Sequence, residues 1–148
     1  MRKLIWLLAV GMLGALPSFA GSGAKGGGGS HGREPALASK GAIDPHKVFF
    51  SQDSISVSFK DKTNPPPDEL AKELKSGKVN AASIPPIRIF WHAPWQRWVT
   101  LDNRRLYAFK KAGIPIPYQK ATEHEVAGES FKFTSRNKGE SIVVRGVK

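Results

Sequence analysis

Apolar positions along this chain fall into short runs separated by proline, glycine and capping residues, and the runs change period as the chain proceeds. Val48-Phe49-Phe50, behind Asp44-Pro45, predicts a first strand. Ser51-Gln52-Asp53-Ser54 is rich in capping residues, and Ile55 and Phe59 four positions apart predict a brief helix after it. Asn64 and Pro65-Pro66-Pro67 announce a second helix, with Asp68 and Glu69 complementing its dipole, Leu70 and Leu74 on one face and Gly77 as the stop. Ile87 to Trp91 and Trp98 to Leu101 read as antiparallel strands joined by a loop around Ala93-Pro94-Trp95-Gln96. Asp102 to Gly113 is helical, with Leu106, Phe109 and Ala112 in phase, two lysines in the last turn and glycine after it. Ile114-Pro115-Ile116-Pro117-Tyr118 continues as an extended segment whose prolines predict an edge or partly unpaired strand. Phe131 to Thr134 and Ser141 to Arg145, flanking Asn137-Lys138-Gly139-Glu140, predict a closing hairpin. The expectation is an α+β fold: a small mixed sheet, two or three helices and a C-terminal β-hairpin, with no internal repeat.

The first forty residues differ from the rest. Met1-Arg2-Lys3, the apolar stretch Leu4 to Leu16 and Pro17-Ser18-Phe19-Ala20 have the layout of a signal peptide over residues 1–20, cleaved after Ala20. The stretch is short for a span, which needs about 20 apolar residues. Export to a secreted or periplasmic location follows, with no stable membrane insertion after cleavage. Residues 21–40 hold seven of the 15 glycines and few large apolar side chains, so they read as a flexible leader. The glycine run lacks the preceding strand and following helix that a phosphate-cradling loop needs. The folded unit is expected over 41–148.

At 148 residues and 40% hydrophobic content, the chain suits one ordinary globular domain. It has no cysteine, which excludes disulfides, thiolate metal sites and a cysteine nucleophile. The formal charge of +11 favours an anionic partner, nucleic acid or nucleotide among them. Residues 87–120 alone carry seven basic side chains against the single acid Asp102.

Arg104 and Arg105 are the anomaly within that segment. The first turn of a helix presents unpaired N–H groups and a partial positive charge, which ordinarily favours acids. A bound phosphate or carboxylate would reverse the sign of that conflict. The competing reading is an ion pair of either arginine with Asp102, Glu123 or Glu125. His92, in the hairpin joined to this helix, is the general-base candidate. Asp102 and Asp53 suit a hard divalent cation, although no spaced carboxylate cluster supports a dedicated metal site, and His46 and His124 lack ligand spacing. Trp91, Trp95 and Trp98 crowd beside Arg88 and Arg97. Trp91 and Trp98 read as a cross-strand packing pair, and Trp95 as the ligand or partner contact.

The run Pro86-Ile87-Arg88-Ile89-Phe90, then Trp98 through Gly113 with Asp102-Asn103-Arg104-Arg105 at its centre, then Ile114-Pro115-Ile116-Pro117, resembles the core of ParB/sulfiredoxin-like domains. Ile43-Asp44-Pro45 with Val48 and Ser51-Gln52 is similar to the family's opening strand and polar turn, so the resemblance covers residues 43–121. Sulfiredoxin chemistry requires a cysteine that this chain lacks, and the 27 residues after Ala121 leave no DNA-reading helix-turn-helix of the chromosome-partitioning branch. What the resemblance implies is therefore an exported ParB-like nuclease or toxin domain, acting with an immunity protein as partner. Asn103, Arg104 and Arg105 would hold a phosphate, with Arg88, Ser51 and Gln52 as further phosphate- or nucleic-acid-binding residues, and Asp102 would position water or a metal. The alternative is a non-catalytic secreted module with a basic anion- or nucleotide-binding surface.

Overall fold

A computed structural model of the chain describes residues 33–56 and 65–146. The expected signal peptide, most of the leader and Phe59 lie outside the described residues. The described part is a small mixed α+β domain with three α-helices. Seven strands, β1 (Lys40–Ile43), β2 (Val48–Phe49), β3 (Ser54–Ser56), β4 (Ile87–His92), β5 (Arg97–Thr100), β6 (Ile116–Lys120) and β7 (Val143–Arg145), alternate with α1 (Pro67–Ser76), α2 (Asn103–Ala112) and α3 (Glu123–Gly128). Among these residues no helix is long and apolar enough to cross a membrane.

The main sheet runs β1-β6-β4-β5-β2, with β4 and β5 antiparallel, β4 and β6 parallel, β1 antiparallel to β6 and β2 parallel to β5. Helices α1 and α2 pack on each other and on one face of it. Leu70 and Leu74 of α1 meet Leu106, Ala108 and Phe109 of α2 there, with Val48, Ile87 and Ile89 from the strands. Each fully buried aliphatic or aromatic side chain in such a core stabilises the fold by about 1.5–3 kcal/mol. Both helices begin and end as their residues dictate: Pro67 opens α1, and Gly77 and Gly113 adopt φ of 78° and 70°, each turning its N–H back onto a carbonyl of the last turn. Alanine at either glycine would meet the left-handed penalty of about 1–2 kcal/mol.

Four expectations are corrected. The brief helix at Ile55 is instead β3, where Ser54, Ile55 and Ser56 alternate around one buried position. No C-terminal hairpin forms among the described residues. Ser130–Lys132 is a 3-10 turn, and β7 pairs with β3 as a separate parallel two-stranded sheet, because the β3 edge supplies partners that the polar 134–141 loop does not. The proline-bearing β6 is interior rather than an edge, although partly unpaired as the prolines predict: its ladder to β4 starts at Tyr118, just beyond Pro117, so the missing N–H costs no bond to that strand. Order also starts ahead of residue 41. Lys40 opens β1, the Tyr118 hydroxyl donates to the Ala38 carbonyl at 3.0 Å, and Leu37 packs against the core.

The last part of the chain returns over the start of α2. The Thr134 and Ser135 N–H groups both donate to the Ser51 carbonyl at 3.0 Å, and the Phe50 N–H donates to the Gly139 carbonyl at 3.0 Å. Gly139 sits at φ 77°, and a Cβ there would drive into the Phe50 carbonyl oxygen while standing 2.8 Å from its nitrogen. Only glycine lets the two backbones approach this closely.

Candidate functional site

Thr100, the last residue of β5, sets the turn into α2. Its hydroxyl donates to the Arg88 carbonyl at 3.0 Å and accepts the Asp102 N–H at 2.9 Å. Asp102 then occupies the N-cap position without capping its own helix. Its carboxylate faces β4, where Oδ2 accepts from the Arg88 backbone N–H at 2.7 Å and from Nε at 3.1 Å, and Oδ1 accepts from Nη2 at 2.9 Å. Arg105, one turn along α2, adds a guanidinium nitrogen 2.8 Å from Oδ1. The far side of the Arg88 guanidinium meets both oxygens of Glu129 at 2.8 and 3.2 Å, and Glu129 accepts from Lys132 at 2.5 Å. The result is an alternating chain of charge, Arg105–Asp102–Arg88–Glu129–Lys132, in which each acid lies between two cations.

That alternation sets the protonation states. Burial pushes the Asp102 carboxyl up, but hydrogen bonds from Arg88 and the charge of Arg105 outweigh it and leave the group below its ordinary value. Burial likewise pushes the Glu129 carboxyl up, and the hydrogen bonds from Lys132 and Arg88 outweigh it, leaving the group below its ordinary value. The Arg88 hydrogen bonds to Asp102 raise its pKa in turn, so this guanidinium stays charged throughout. Asp102 is therefore committed to two guanidinium groups.

Asn103 is buried and saturated. Its Oδ1 accepts the Ser51 N–H at 2.8 Å and the Gln52 N–H at 3.4 Å, and its Nδ2 donates to the Ser51 hydroxyl at 2.8 Å and to Gln52 Oε1 at 3.1 Å. The three polar residues that the sequence groups as ligand contacts thus come together as one clamp. It fastens the turn after β2 to the first turn of α2.

In front of this clamp lies a cleft of about 380 Å³. Arg104, Arg105 and Lys132 border it together with Gln52, Asn103 and Asp102, while Pro65, Pro67 and Leu70 from the start of α1 form an apolar side and Leu101 contributes from the β5–α2 junction. The two arginines do not converge alike. Arg104 lines the cleft, where burial pulls its pKa down. Arg105 borders it too, but turns back to Asp102 and donates through Nη1 to the carbonyls of Pro85 at 2.7 Å and Pro86 at 3.0 Å. The ion-pair reading of Arg105 with Asp102 therefore holds in this structure. Glu125 approaches Arg88 instead, at 3.9 Å.

Much of the basic surplus of residues 87–120 meets acids from elsewhere. Arg97 pairs with Glu140 at 3.2 Å, Lys111 with Asp68 at 2.5 Å and Lys120 with Glu34 at 2.6 Å. Lys110 lies 5.3 and 5.0 Å from the rings of Phe49 and Phe50, where burial lowers its pKa. Segment charge in the sequence overstates the charge left to a ligand.

The hairpin end is built differently. His92 Nδ1 accepts the Trp95 N–H at 3.2 Å and caps the 3-10 turn Ala93–Trp95, which leaves Gln96 at φ 50°. The Trp95 ring lies 4.3 Å from that of His92, and Phe133 stacks on the imidazole at 6.1 Å. Burial pushes the His92 pKa below its ordinary value. Neither His92 nor Trp95 lines the cleft, and Arg88 lies behind its wall rather than on it. Trp91 and Trp98 form the expected cross-strand pair, edge to face at 5.6 Å. Asp53 accepts from the hydroxyls of Ser54 and Thr134 and is away from the cleft lining.

The sequence reading missed Lys132, which falls in the expected hairpin strand Phe131 to Thr134, and Glu129, which lies just ahead of it. Their spacing of three in an i,i+3 pair was the available signal. Among the described residues, no group of three or more His, Asp or Glu side chains is placed to hold a metal ion. Compared with protein-family models, curated proteins and solved structures, the chain has no match.

Proposed function

We propose that this chain is an exported domain of the ParB/sulfiredoxin-like kind, and that the cleft at the start of α2 binds a phosphate-bearing ligand, nucleic acid or nucleotide. The observation that carries this reading is the make-up of the cleft: Arg104, Arg105 and Lys132 around one side and Pro65, Pro67 and Leu70 on the other. Such a site offers charge-assisted hydrogen bonds to phosphate oxygens and an apolar surface to the base or sugar attached to them. The first turn of α2 adds the positive end of a ten-residue helix.

Binding without cleavage is the primary reading. The Asp102 carboxylate is held by two guanidinium groups, and His92 spends Nδ1 on the hairpin turn away from the cleft. Phosphodiester cleavage by a nuclease-type toxin is the second reading. It is favoured by three cationic side chains around one cleft, the arrangement that stabilises charge developing on a phosphoryl group. One experiment serves both. Binding of ATP and of a labelled oligouridylate to the full chain is measured by calorimetry and fluorescence anisotropy, and release of labelled fragments is followed with and without magnesium or manganese. The proposal expects binding that Arg104→Ala weakens about tenfold, the value of one charged hydrogen bond. Fragment release lost in the same variant would establish the second reading. No binding to either probe would overturn both.

A further inference from the structure

We infer that Lys132 contacts the ligand in the α2 cleft directly, and that Glu129 is an internal anion competing with the ligand for it. The inference rests on the phosphate-binding reading of that cleft and assigns to it a residue from a distant part of the chain. Lys132 ends the 3-10 turn Ser130–Lys132 and reaches back to the β5–α2 junction, where Nζ donates to the Leu101 carbonyl at 3.1 Å. It borders the cleft together with Arg104 and Arg105. A lysine ammonium has three donors. Two are engaged, by Leu101 and by Glu129 at 2.5 Å, and the third has no partner among the described residues. A cation anchored through two bonds is oriented in advance, so little side-chain freedom is lost when an anion takes the third.

Glu129 explains why such a cation can wait at the cleft wall. Its carboxylate bridges Arg88 and Lys132, and its side chain is 23% exposed. It supplies the negative charge there, as a phosphate would, but does not line the cleft. An incoming phosphate and Glu129 therefore draw on the same ammonium, and the acid lowers the apparent affinity of the site. Arg88 retains Asp102 whether or not Glu129 stays charged.

The two side chains give effects of opposite sign, which a purely structural ion pair would not. Affinities of the full chain for ATP and for a labelled oligouridylate are measured for the wild type, Arg104→Ala, Lys132→Gln and Glu129→Gln, with thermal unfolding of each. Lys132→Gln is expected to weaken binding about tenfold. It should also make the dependence of log affinity on log salt shallower by about 0.7 for the single-stranded probe. Glu129→Gln is expected to tighten binding severalfold. A response with either probe supports the inference, and the responding probe says whether the phosphate belongs to a nucleotide or to a strand. Weaker or unchanged binding in Glu129→Gln overturns it. So does Lys132→Gln that keeps its affinity and salt slope while Arg104→Ala loses binding, a result that leaves the phosphate reading standing. If the wild type binds neither probe, the reading itself fails and the inference falls with it.

Discussion

The two ends of β5 carry the chain's most conspicuous chemical side chains, and they are put to opposite uses. At the end where β5 enters α2, charged groups are held in fixed places around an open cleft. At the hairpin end, His92 and Trp95 are turned onto each other, with Phe133 stacked on the imidazole, closing a tight turn. Both places offer residue types that catalysis and recognition employ. The difference is whether space remains in front of them. At the hairpin the histidine nitrogen serves the backbone. At the α2 start, Asp102 and Asn103 are taken up by the fold, while Arg104 and Lys132 border open space.

The largest effect expected from breaking this contrast is at Asp102. Its side chain is 8% exposed between Arg88 and Arg105, and Asp102→Ala would leave both guanidinium groups facing a lost partner. Removing one member of a buried pair typically costs about 3–5 kcal/mol, readable as a lower denaturant midpoint. His92→Ala should cost only about 1 kcal/mol, the value of a lost cap, and leave phosphate binding unchanged. If His92→Ala abolished ligand binding with stability intact, the assignment of the two ends would be reversed.

Acid separates the ends as well. The His92 pKa is depressed by burial, so the neutral ring is favoured in the folded state. Its contribution is complete above about pH 6.5 and is lost as pH falls through the lower folded value. Asp102 is also depressed, but from 3.8, so its contribution persists to well below the range in which His92 charges. Stability measured from pH 8 downward should fall first in a step that His92→Asn removes. A second fall below about pH 4 should be much reduced in Asp102→Asn. A single acid transition insensitive to His92→Asn would show that the imidazole is not coupled to the fold.

How far these places could be read from the sequence depended on the range of the interactions involved. Helices α1 and α2 and the β4–β5 hairpin carry their own signals: proline at a first turn, glycine at a stop, and apolar positions in phase. Helix α3 carried one too, since Thr122 and Glu125 form a reciprocal capping box, but Val126 is its one large apolar residue and the periodicity is faint. The β3–β7 pairing was not legible, because two three-residue segments far apart along the chain leave no local trace of their register. At the site, the double arginine correctly marked the start of α2, and the pairing of Arg105 with Asp102 was among the alternatives its spacing allowed. Lys132 and Glu129 reach the site only through tertiary return of the chain, which composition and spacing do not encode.

The most direct test is a nitrogen-15 NMR titration of the full chain with ATP. The account predicts saturable shifts of the Asn103, Arg104 and Arg105 amides and of the residues around Lys132, with the Trp95 and Gln96 amides unmoved. Shifts confined to the hairpin around Trp95, with the α2 start silent, would contradict it.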